Sequence, residues 1–312
     1  MSDMLAIGIK SDPIETRYSF DWLFDVMLEG GIRTMQLGTF YELYALEDGY
    51  FHALRELAER KGIKIKSVFT AHRELGGFFA DDFYMERAAR TGFERLIHVA
   101  AILGADYCGS NPGAVYRDRA ETKETGIECY LRHMRELMEI ARHAGLCGLT
   151  MEPMSCMAEP PTTPIEMDRM IGALQEYHIS HPDRTVPVYL CGDISHGLKD
   201  EHYRPVHTNL ELFEHGLPMM AEFHFKNTDD HYNSTFGFSE QEQKRGIVKL
   251  EDIKRILSRN RQRIPVSDFT GYLEIGGPKV GRDYSDVHLR RTLLDSLEAI
   301  HAVFSGFAIG VP

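Results

Sequence analysis

The sequence is poor in the features that mark secreted, disulfide-stapled and membrane proteins. It has 5 cysteines in 312 residues, an odd number without a C-x-x-C pair, so we expect free thiols in a reducing compartment. No apolar run approaches the ~18 residues that a membrane span requires. Residues 1–9 lack a basic segment followed by an apolar one, so we expect no secretory signal. Together these absences predict a cytoplasmic protein with no membrane partner.

Positive charge is also scarce. The chain has 35 Lys and Arg residues against 47 Asp and Glu residues, which gives a formal net charge of −12. A protein that binds nucleic acid needs a positive surface to replace the counterions of the phosphates. We therefore expect no nucleic-acid partner.

What the sequence does contain is a regular alternation of short apolar runs and longer amphipathic stretches. Glycines such as Gly62, Gly104 and Gly145 follow several of the stretches, as is typical of helix C-caps. The predicted strands are 5–10, 34–39, 64–70, 107–110, 148–153, 186–193, 220–226 and 272–276. The predicted helices are 17–29, 50–61, 83–103, 123–144, 164–178, 207–215, 249–260 and 284–304.

Eight strand–helix repeats without a break in composition favour a single α/β domain over residues 1–312, built as a (β/α)8 TIM barrel. An open doubly wound sheet is the alternative. Its dinucleotide-binding version is disfavoured because no G-x-G-x-x-G follows the first strand. One connection, 227–247, is unusually long and polar. It is either a lid over an active site or a surface excursion or oligomer contact.

Ligand-type side chains end four consecutive predicted strands, the fifth to the eighth. In a parallel barrel these ends meet at one rim, where active sites lie. Taken singly, a residue of this type at a strand end is more often a solvated or structural group. In a cluster, however, the carboxylates repel one another, and a divalent cation removes that repulsion. Oxygen-rich donors with one imidazole favour Mn²⁺, Mg²⁺ or Co²⁺, and Zn²⁺ stays open. The predicted metal ligands are Glu152, Asp193, His224 and Glu274.

The same strand ends carry short motifs: Glu-Pro at 152–153, Asp-x-x-His at 193–196, His-x-Lys at 224–226, and a glutamate at 274. In this order the motifs resemble the xylose isomerase-like TIM barrel superfamily, and within it the tagatose/psicose 3-epimerase branch. The resemblance implies that the four ligands bind a metal, Mn²⁺ above all, and that Glu152 and Glu274 also act as the catalytic acid/base pair. It implies that His196 touches the substrate oxygens near the carbonyl.

Further substrate-binding residues are predicted from their places at strand ends: Lys226, His72 and Asn111. The sequence departs from the free-ketohexose epimerases at Ala158 and Asp230, where that branch has Glu and Arg. A glycine-rich loop at 276–282 carries Lys279 and Arg282, which predicts either a phosphate site or a flexible turn. The stretch from His224 to Gly246 also resembles tetrulose-phosphate epimerases and racemases of erythritol catabolism.

The predicted function is thus metal-dependent isomerisation or epimerisation of a small ketose or ketose phosphate, with a small-molecule sugar or sugar phosphate as partner. A lyase, either a sugar dehydratase or a decarboxylase, would use the same metal site and the same first proton abstraction. An apurinic-endonuclease-like phosphodiesterase would need a DNA-binding face, which the charge disfavours. A non-enzymatic sugar-binding barrel would leave the four convergent ligands unexplained. Because barrels of this type commonly form dimers or tetramers, we expect a homo-oligomer.

Overall fold

Eight parallel strands form where the sequence has its short apolar runs. The structure is a computed structural model that describes residues 3–15, 17–38, 41–71, 77–276 and 286–309. The strands close into a barrel in chain order, β1 to β8, each next to its sequence neighbour. The predicted fold class, a (β/α)8 barrel, is therefore confirmed, and the open sheet was the wrong alternative. The strands are β1 Ala6–Lys10, β2 Thr34–Gly38, β3 Lys64–Ala71, β4 Tyr107–Asn111, β5 Gly148–Met151, β6 Val188–Asp193, β7 Met220–Phe225 and β8 Thr270–Leu273.

The helices lie between the strands, and each predicted helix is found within a few residues of its predicted bounds. Two short helices, α2 and α8, were not predicted. None of the helices in the described residues is both long and apolar enough to cross a membrane. The helices are α1 Phe20–Glu29, α2 Tyr41–Ala45, α3 Asp48–Lys61, α4 Phe83–Leu103, α5 Lys123–His143, α6 Pro164–Ser180, α7 Asn209–Gly216, α8 Glu240–Arg245, α9 Leu250–Arg259 and α10 Leu289–Phe304.

Helix ends follow the local chemistry of the sequence. The side chain of Thr163 accepts a hydrogen bond from the backbone of Glu166, whose carboxylate bonds back to the Thr163 backbone, forming a capping box at the start of α6. At the other end of a helix, Gly104 adopts φ +68° after α4. A side chain there would strain the backbone, so the glycine stops the helix cleanly.

Cα packing groups the described residues into two compact units. One contains β1, β2, β7, β8, α1 and α7 to α10, and the other contains β4, β5, α2 and α4 to α6. In the first unit, the rings of Phe223, Phe225 and Phe269 pack on one another within the buried core. In the second, Phe78 and Phe93 pack against Tyr130. Each unit thus has its own aromatic core.

The long connection 227–247 is a hydrogen-bonded structure. Asn227 and Phe236 pair in antiparallel fashion, with both N–H···O bonds at 2.8 and 3.1 Å. The carboxylate of Glu242 accepts from the backbone of Gly237 and Ser239 at 3.0 Å each, which ties α8 to the loop before it. Phe238, within this segment, is fully buried. The role of the connection 227–247 as a lid stays a prediction.

Candidate active site

Four donor side chains stand at the C-terminal ends of four consecutive strands. Glu152 follows β5, Asp193 ends β6, His224 is the penultimate residue of β7, and Glu274 follows β8. All four are buried, and each offers one ligand atom within 4.8 Å of the others. Parallel strands end at the same rim of a barrel, which is why residues so far apart in sequence meet.

The distances are clearest around Glu274 and His224. His224 Nδ1 lies 3.1 Å from Glu274 Oε2 and 3.9 Å from Asp193 Oδ2. The ring of His224 is fully buried. One face of the group thus presents an imidazole nitrogen and two carboxylate oxygens to a common point.

Two buried lysines surround these carboxylates. Lys10 Nζ, at the end of β1, lies 3.0 Å from both Glu274 Oε1 and Asp12 Oδ2. Lys226 Nζ lies 3.6 Å from Glu274 Oε2. Burial raises the pKa of the Glu274 carboxyl, but Lys10 and Lys226 outweigh burial and hold that pKa well below its usual value. Glu274 is therefore a carboxylate at neutral pH.

Asp193 is held in the same way. Its Oδ2 accepts a hydrogen bond from Lys226 Nζ at 2.7 Å and lies 3.3 Å from His196 Nε2, while its Oδ1 accepts from the backbone N–H of Ser195 at 2.7 Å. Burial raises the pKa of Asp193, whereas His196 and Lys226 lower it, and the net direction is downward. Asp193 is thus a second ionised oxygen donor.

The other nitrogen of His224 contacts a polar side chain from β2. Gln36 Oε1 lies 2.8 Å from His224 Nε2, and Gln36 Nε2 donates to Glu222 Oε1 at 3.3 Å. Gln36 and Glu222 are both buried in the barrel. A ligating histidine is characteristically oriented by a partner on its second ring nitrogen.

The donor set fits a divalent cation. Among the described residues, no donor meets full hydrogen-bond geometry at the buried Glu274 Oε2, although His224 Nδ1 lies 3.1 Å and Lys226 Nζ 3.6 Å from it. An ionised oxygen without a hydrogen bond is costly to bury unless it is coordinated. The carboxylates and imidazole are the hard and borderline donors that Mn²⁺, Mg²⁺, Co²⁺ or Zn²⁺ accepts.

The remaining predicted site residues fall into two groups. His196 lies beside Lys226, with 3.1 Å between His196 Nε2 and Lys226 Nζ, and both are buried next to Asp193. Asn111 is the buried last residue of β4. The other three predicted substrate contacts lie outside the described residues: His72, Lys279 and Arg282.

The two positions where the sequence departs from the free-ketohexose epimerases have different surroundings from each other, one buried and one exposed. Ala158 is buried, and the adjacent Glu159 is also buried, 3.5 Å from the guanidinium of Arg117. Asp230 is exposed, and its Oδ1 lies 2.6 Å from His231 Nδ1. Neither position supplies the side chain found in that branch.

Sequence reasoning missed two residues near this group: Lys10, which contacts Glu274, and Glu222, which is connected to His224 through Gln36. Lys10 ends β1 and was found by no motif, although the strand-end rule applies to it as it does to Glu274. Glu222 was missed because it lies inside a strand; the available signal was its spacing of two from His224 in an otherwise apolar run, which puts both on one side of the strand. Gln36, in β2, is the residue between them and lies 2.8 Å from His224 Nε2.

A second donor group, between α4 and α5, is explained without a metal. Glu86 Oε1 lies 2.7 Å from Arg132 Nη2 and 2.8 Å from His133 Nε2, so the Glu86–Cys129–His133 group is an ion-pair network between α4 and α5. Burial raises the pKa of the Cys129 thiol to about 11, which disfavours the thiolate needed for coordination. The buried rim group is therefore the candidate centre.

Comparisons with known proteins agree with this architecture. Among curated proteins, no sequence matches the chain. A candidate xylose isomerase from Rhodospirillum rubrum has a similar structure, with 19% identity and a TM-score of 0.76, covering 96% of this chain and 99% of that one. D-psicose 3-epimerase with D-tagatose from Clostridium cellulolyticum matches with 15% identity and a TM-score of 0.69, covering 96% and 99%.

A probable 3-DHS dehydratase of petrobactin synthesis from Bacillus anthracis has 13% identity and a TM-score of 0.62, covering 95% of this chain and 98% of that one. At such identities these structures share the fold. The family model described as xylose isomerase-like TIM barrel matches residues 24–267, well over half of the sequence. The chain therefore belongs to the xylose isomerase-like TIM barrel family.

Proposed function

We propose that the protein is a metal-dependent isomerase or epimerase of a small ketose or ketose phosphate. The observation that carries the proposal is the buried rim group, Glu152, Asp193, His224 and Glu274, with ligand atoms within 4.8 Å of one another. Sugar epimerases occur among the proteins of similar fold. The group combines what such chemistry needs: ligands for a cation and two glutamates able to exchange protons.

The four residues would hold the metal, and Mn²⁺ is our proposal for its identity because three of the four donors are carboxylates. When bound, a divalent cation supplies a Lewis acid that polarises the ketose carbonyl and makes the neighbouring C–H more acidic. The depressed pKa of Glu274 makes this help necessary, since a carboxylate of low pKa is a weak base toward carbon.

The chain's own residues would carry the protons. One of the two glutamates, Glu152 or Glu274, removes the proton next to the carbonyl and leaves a planar enediolate. The other returns a proton to the opposite face, so the configuration at that carbon inverts while the atoms and electrons of the sugar are conserved. The ammonium of Lys226 and the ring of His196, both at the rim beside Asp193, stabilise the oxyanion that develops on the sugar.

We propose a phosphorylated substrate as the finer version of this function. Lys279 and Arg282 in the glycine-rich segment after β8 are the proposed phosphate contacts, and His72 and Asn111 the proposed contacts to sugar hydroxyls. Asp230, an exposed carboxylate, stands where free-ketohexose epimerases have arginine. A tetrulose 4-phosphate is the specific candidate, because of the resemblance of the stretch from His224 to Gly246.

The test is a substrate screen on chelator-treated protein reloaded with Mn²⁺. Free and phosphorylated ketoses of three to six carbons are incubated in D₂O, and products are followed by NMR. We expect one phosphorylated ketose to give an epimer that carries deuterium at the inverted carbon, and no product before Mn²⁺ is added. Equal turnover before and after chelation would contradict the proposal.

A lyase is the second candidate, and the similarity to a probable dehydratase favours it. Epimerisation and dehydration both begin with removal of a proton next to a carbonyl, but a dehydratase then expels water from the neighbouring carbon. The same NMR experiment separates them. An epimer keeps all the hydroxyl-bearing carbons of the substrate, with deuterium at the inverted one, whereas a dehydration product has lost one of them and gains an olefinic or keto signal.

A further inference from the structure

A chain of three polar side chains runs through the inside of the barrel next to the rim group. Gln36 and His224 are 0% exposed and Glu222 is 1% exposed. Barrel interiors are filled mainly by apolar branched residues, and a buried amide and carboxylate cost free energy unless they are hydrogen-bonded. Two contacts connect these three side chains. His224 Nε2 lies 2.8 Å from Gln36 Oε1, and Gln36 Nε2 lies 3.3 Å from Glu222 Oε1.

The chemistry of these groups fixes the direction of each hydrogen bond. Gln36 directs its NH₂ group to Glu222 Oε1, which is the orientation that an ionised Glu222 requires, because a carboxylate only accepts. The amide oxygen of Gln36 then faces His224 and also only accepts, so His224 must carry its proton on Nε2. Nδ1, which lies 3.1 Å from Glu274 Oε2 and 3.9 Å from Asp193 Oδ2, is then the nitrogen at which a cation can take the place of a proton.

We infer that Gln36 and Glu222 are a positioning pair that fixes both the ring orientation and the tautomer of His224, so that Nδ1 is the atom offered to the metal. The inference rests on the proposed metal site and names a part of it that no strand-end motif contains. Glu222 and His224 are two residues apart in β7, so their side chains lie on the same side of the strand. Gln36, from β2, bridges them.

The variants that test this pair are Glu222→Gln and Gln36→Leu. A glutamine at 222 can both donate and accept, so it no longer dictates which end of the Gln36 amide faces His224. A leucine at 36 removes the acceptor for the Nε2 proton. The matched control is Glu214→Gln, the same carboxylate-to-amide change at a partly buried ion pair of α7, where Glu214 accepts from Arg259 Nε at 2.6 Å.

The first measurement is the tautomer of His224 in metal-free protein at pH 8, from long-range ¹H–¹⁵N NMR spectra. The chain has 15 histidines, so His224→Gln serves to assign the signal. We expect Nε2 to carry a proton in all molecules of the wild type and the control, and a second form with a bare Nε2 and a proton on Nδ1 in Glu222→Gln and Gln36→Leu. An Nδ1–H tautomer in the wild type overturns the inference.

The second measurement is the affinity for Co²⁺, followed by its visible absorption. Loss of such an orienting partner costs about 10–100-fold in metal affinity. We expect that loss in both variants with an unchanged circular dichroism spectrum, and wild-type affinity in Glu214→Gln. Wild-type affinity and tautomer in Glu222→Gln would overturn the inference even if Gln36→Leu failed to fold. Failure of the wild type to bind Co²⁺ would instead overturn the proposed metal function, while the tautomer still decides the role of the pair.

Discussion

At the scale of single residues, the site depends on carboxylates that stay ionised although they are buried. Glu274 does so because Lys10 lies 3.0 Å from Oε1 while Oε2 faces His224. The two oxygens thus have different tasks, one in an ion pair and one available as a ligand. A glutamine in place of Glu274 would keep the shape of the side chain and remove its charge. It therefore tests the role of the charge without changing the packing.

We therefore predict that Glu274→Gln and Glu152→Gln each lower kcat by more than about 10³-fold, because each removes a proton carrier from the reaction. Metal content, measured by atomic emission after dialysis, should fall in both variants. Glu214→Gln, at the ion pair of Glu214 with Arg259, should keep wild-type values of both. Full activity in either of the first two variants would refute their assignment.

At the scale of elements, the close approach of neighbouring strands is set by glycine. Gly109 in β4 pairs with Thr150 in β5, and a Cβ at position 109 would lie 2.2 Å from Thr150 O and 2.1 Å from its Oγ1. Backbone atoms cannot give way as a flexible side chain can. Any side chain at 109 must push the two strands apart.

We predict that Gly109→Ala lowers the free energy of unfolding by about 1–3 kcal/mol, the usual cost of overpacking a core. Urea unfolding followed by circular dichroism measures it. The matched control is Gly172→Ala in α6, where a Cβ would meet no atom within 4 Å. That substitution should stabilise by about 0.5–1 kcal/mol, because alanine is the better helix former. Equal effects of the two would contradict this account of β4.

The contact between α3 and α4 should stabilise the fold at neutral pH and lose that contribution in acid. Asp48 begins α3 and accepts from His98 and Arg95 of α4, at 2.8 and 2.5 Å. These hydrogen bonds lower the pKa of Asp48 from 3.8 to about 2. Since the folded pKa lies below the unfolded one, the stabilisation is complete above about pH 4 and is lost as the pH falls toward 2.

Asp48→Asn should therefore lower the urea midpoint at pH 7 and lower it by less at pH 3. The variant has no carboxyl to protonate, so its stability lacks this part of the wild-type dependence on pH. The measurement is the difference between the two midpoints at pH 7, 5, 4 and 3. A difference that stays constant over this range would show that Asp48 acts through packing and not through its charge.

At the scale of the whole molecule, the alternation of apolar runs was enough to predict the barrel, because each buried strand and amphipathic helix has its own period. Strand ends were less certain: β8 was predicted at 272–276 and lies at Thr270–Leu273, since Thr270 and Gly271 carry no apolar signal. The rim residues from Glu152 to Glu274 were predictable from strand ends alone. Lys10 also ends a strand but belongs to no motif, and Glu222 lies inside β7 and contacts Gln36 of β2, so neither was predicted.

Metal binding should appear as a gain in the stability of the entire chain, because a ligand that binds only the folded state stabilises it by mass action. At a free Mn²⁺ concentration 100 times Kd the gain is about 2.7 kcal/mol, or roughly 5 °C in Tm for a chain of this size. Differential scanning calorimetry of chelator-treated protein, with Mn²⁺ added stepwise, measures the shift. Asp193→Asn is the control: it removes one ionised donor from the rim group, so its Tm should respond much less. A wild-type Tm that is the same with chelator and with Mn²⁺ would contradict the metal site. The buried charges of Glu274 and Asp193 would then be balanced by Lys10 and Lys226 without a metal.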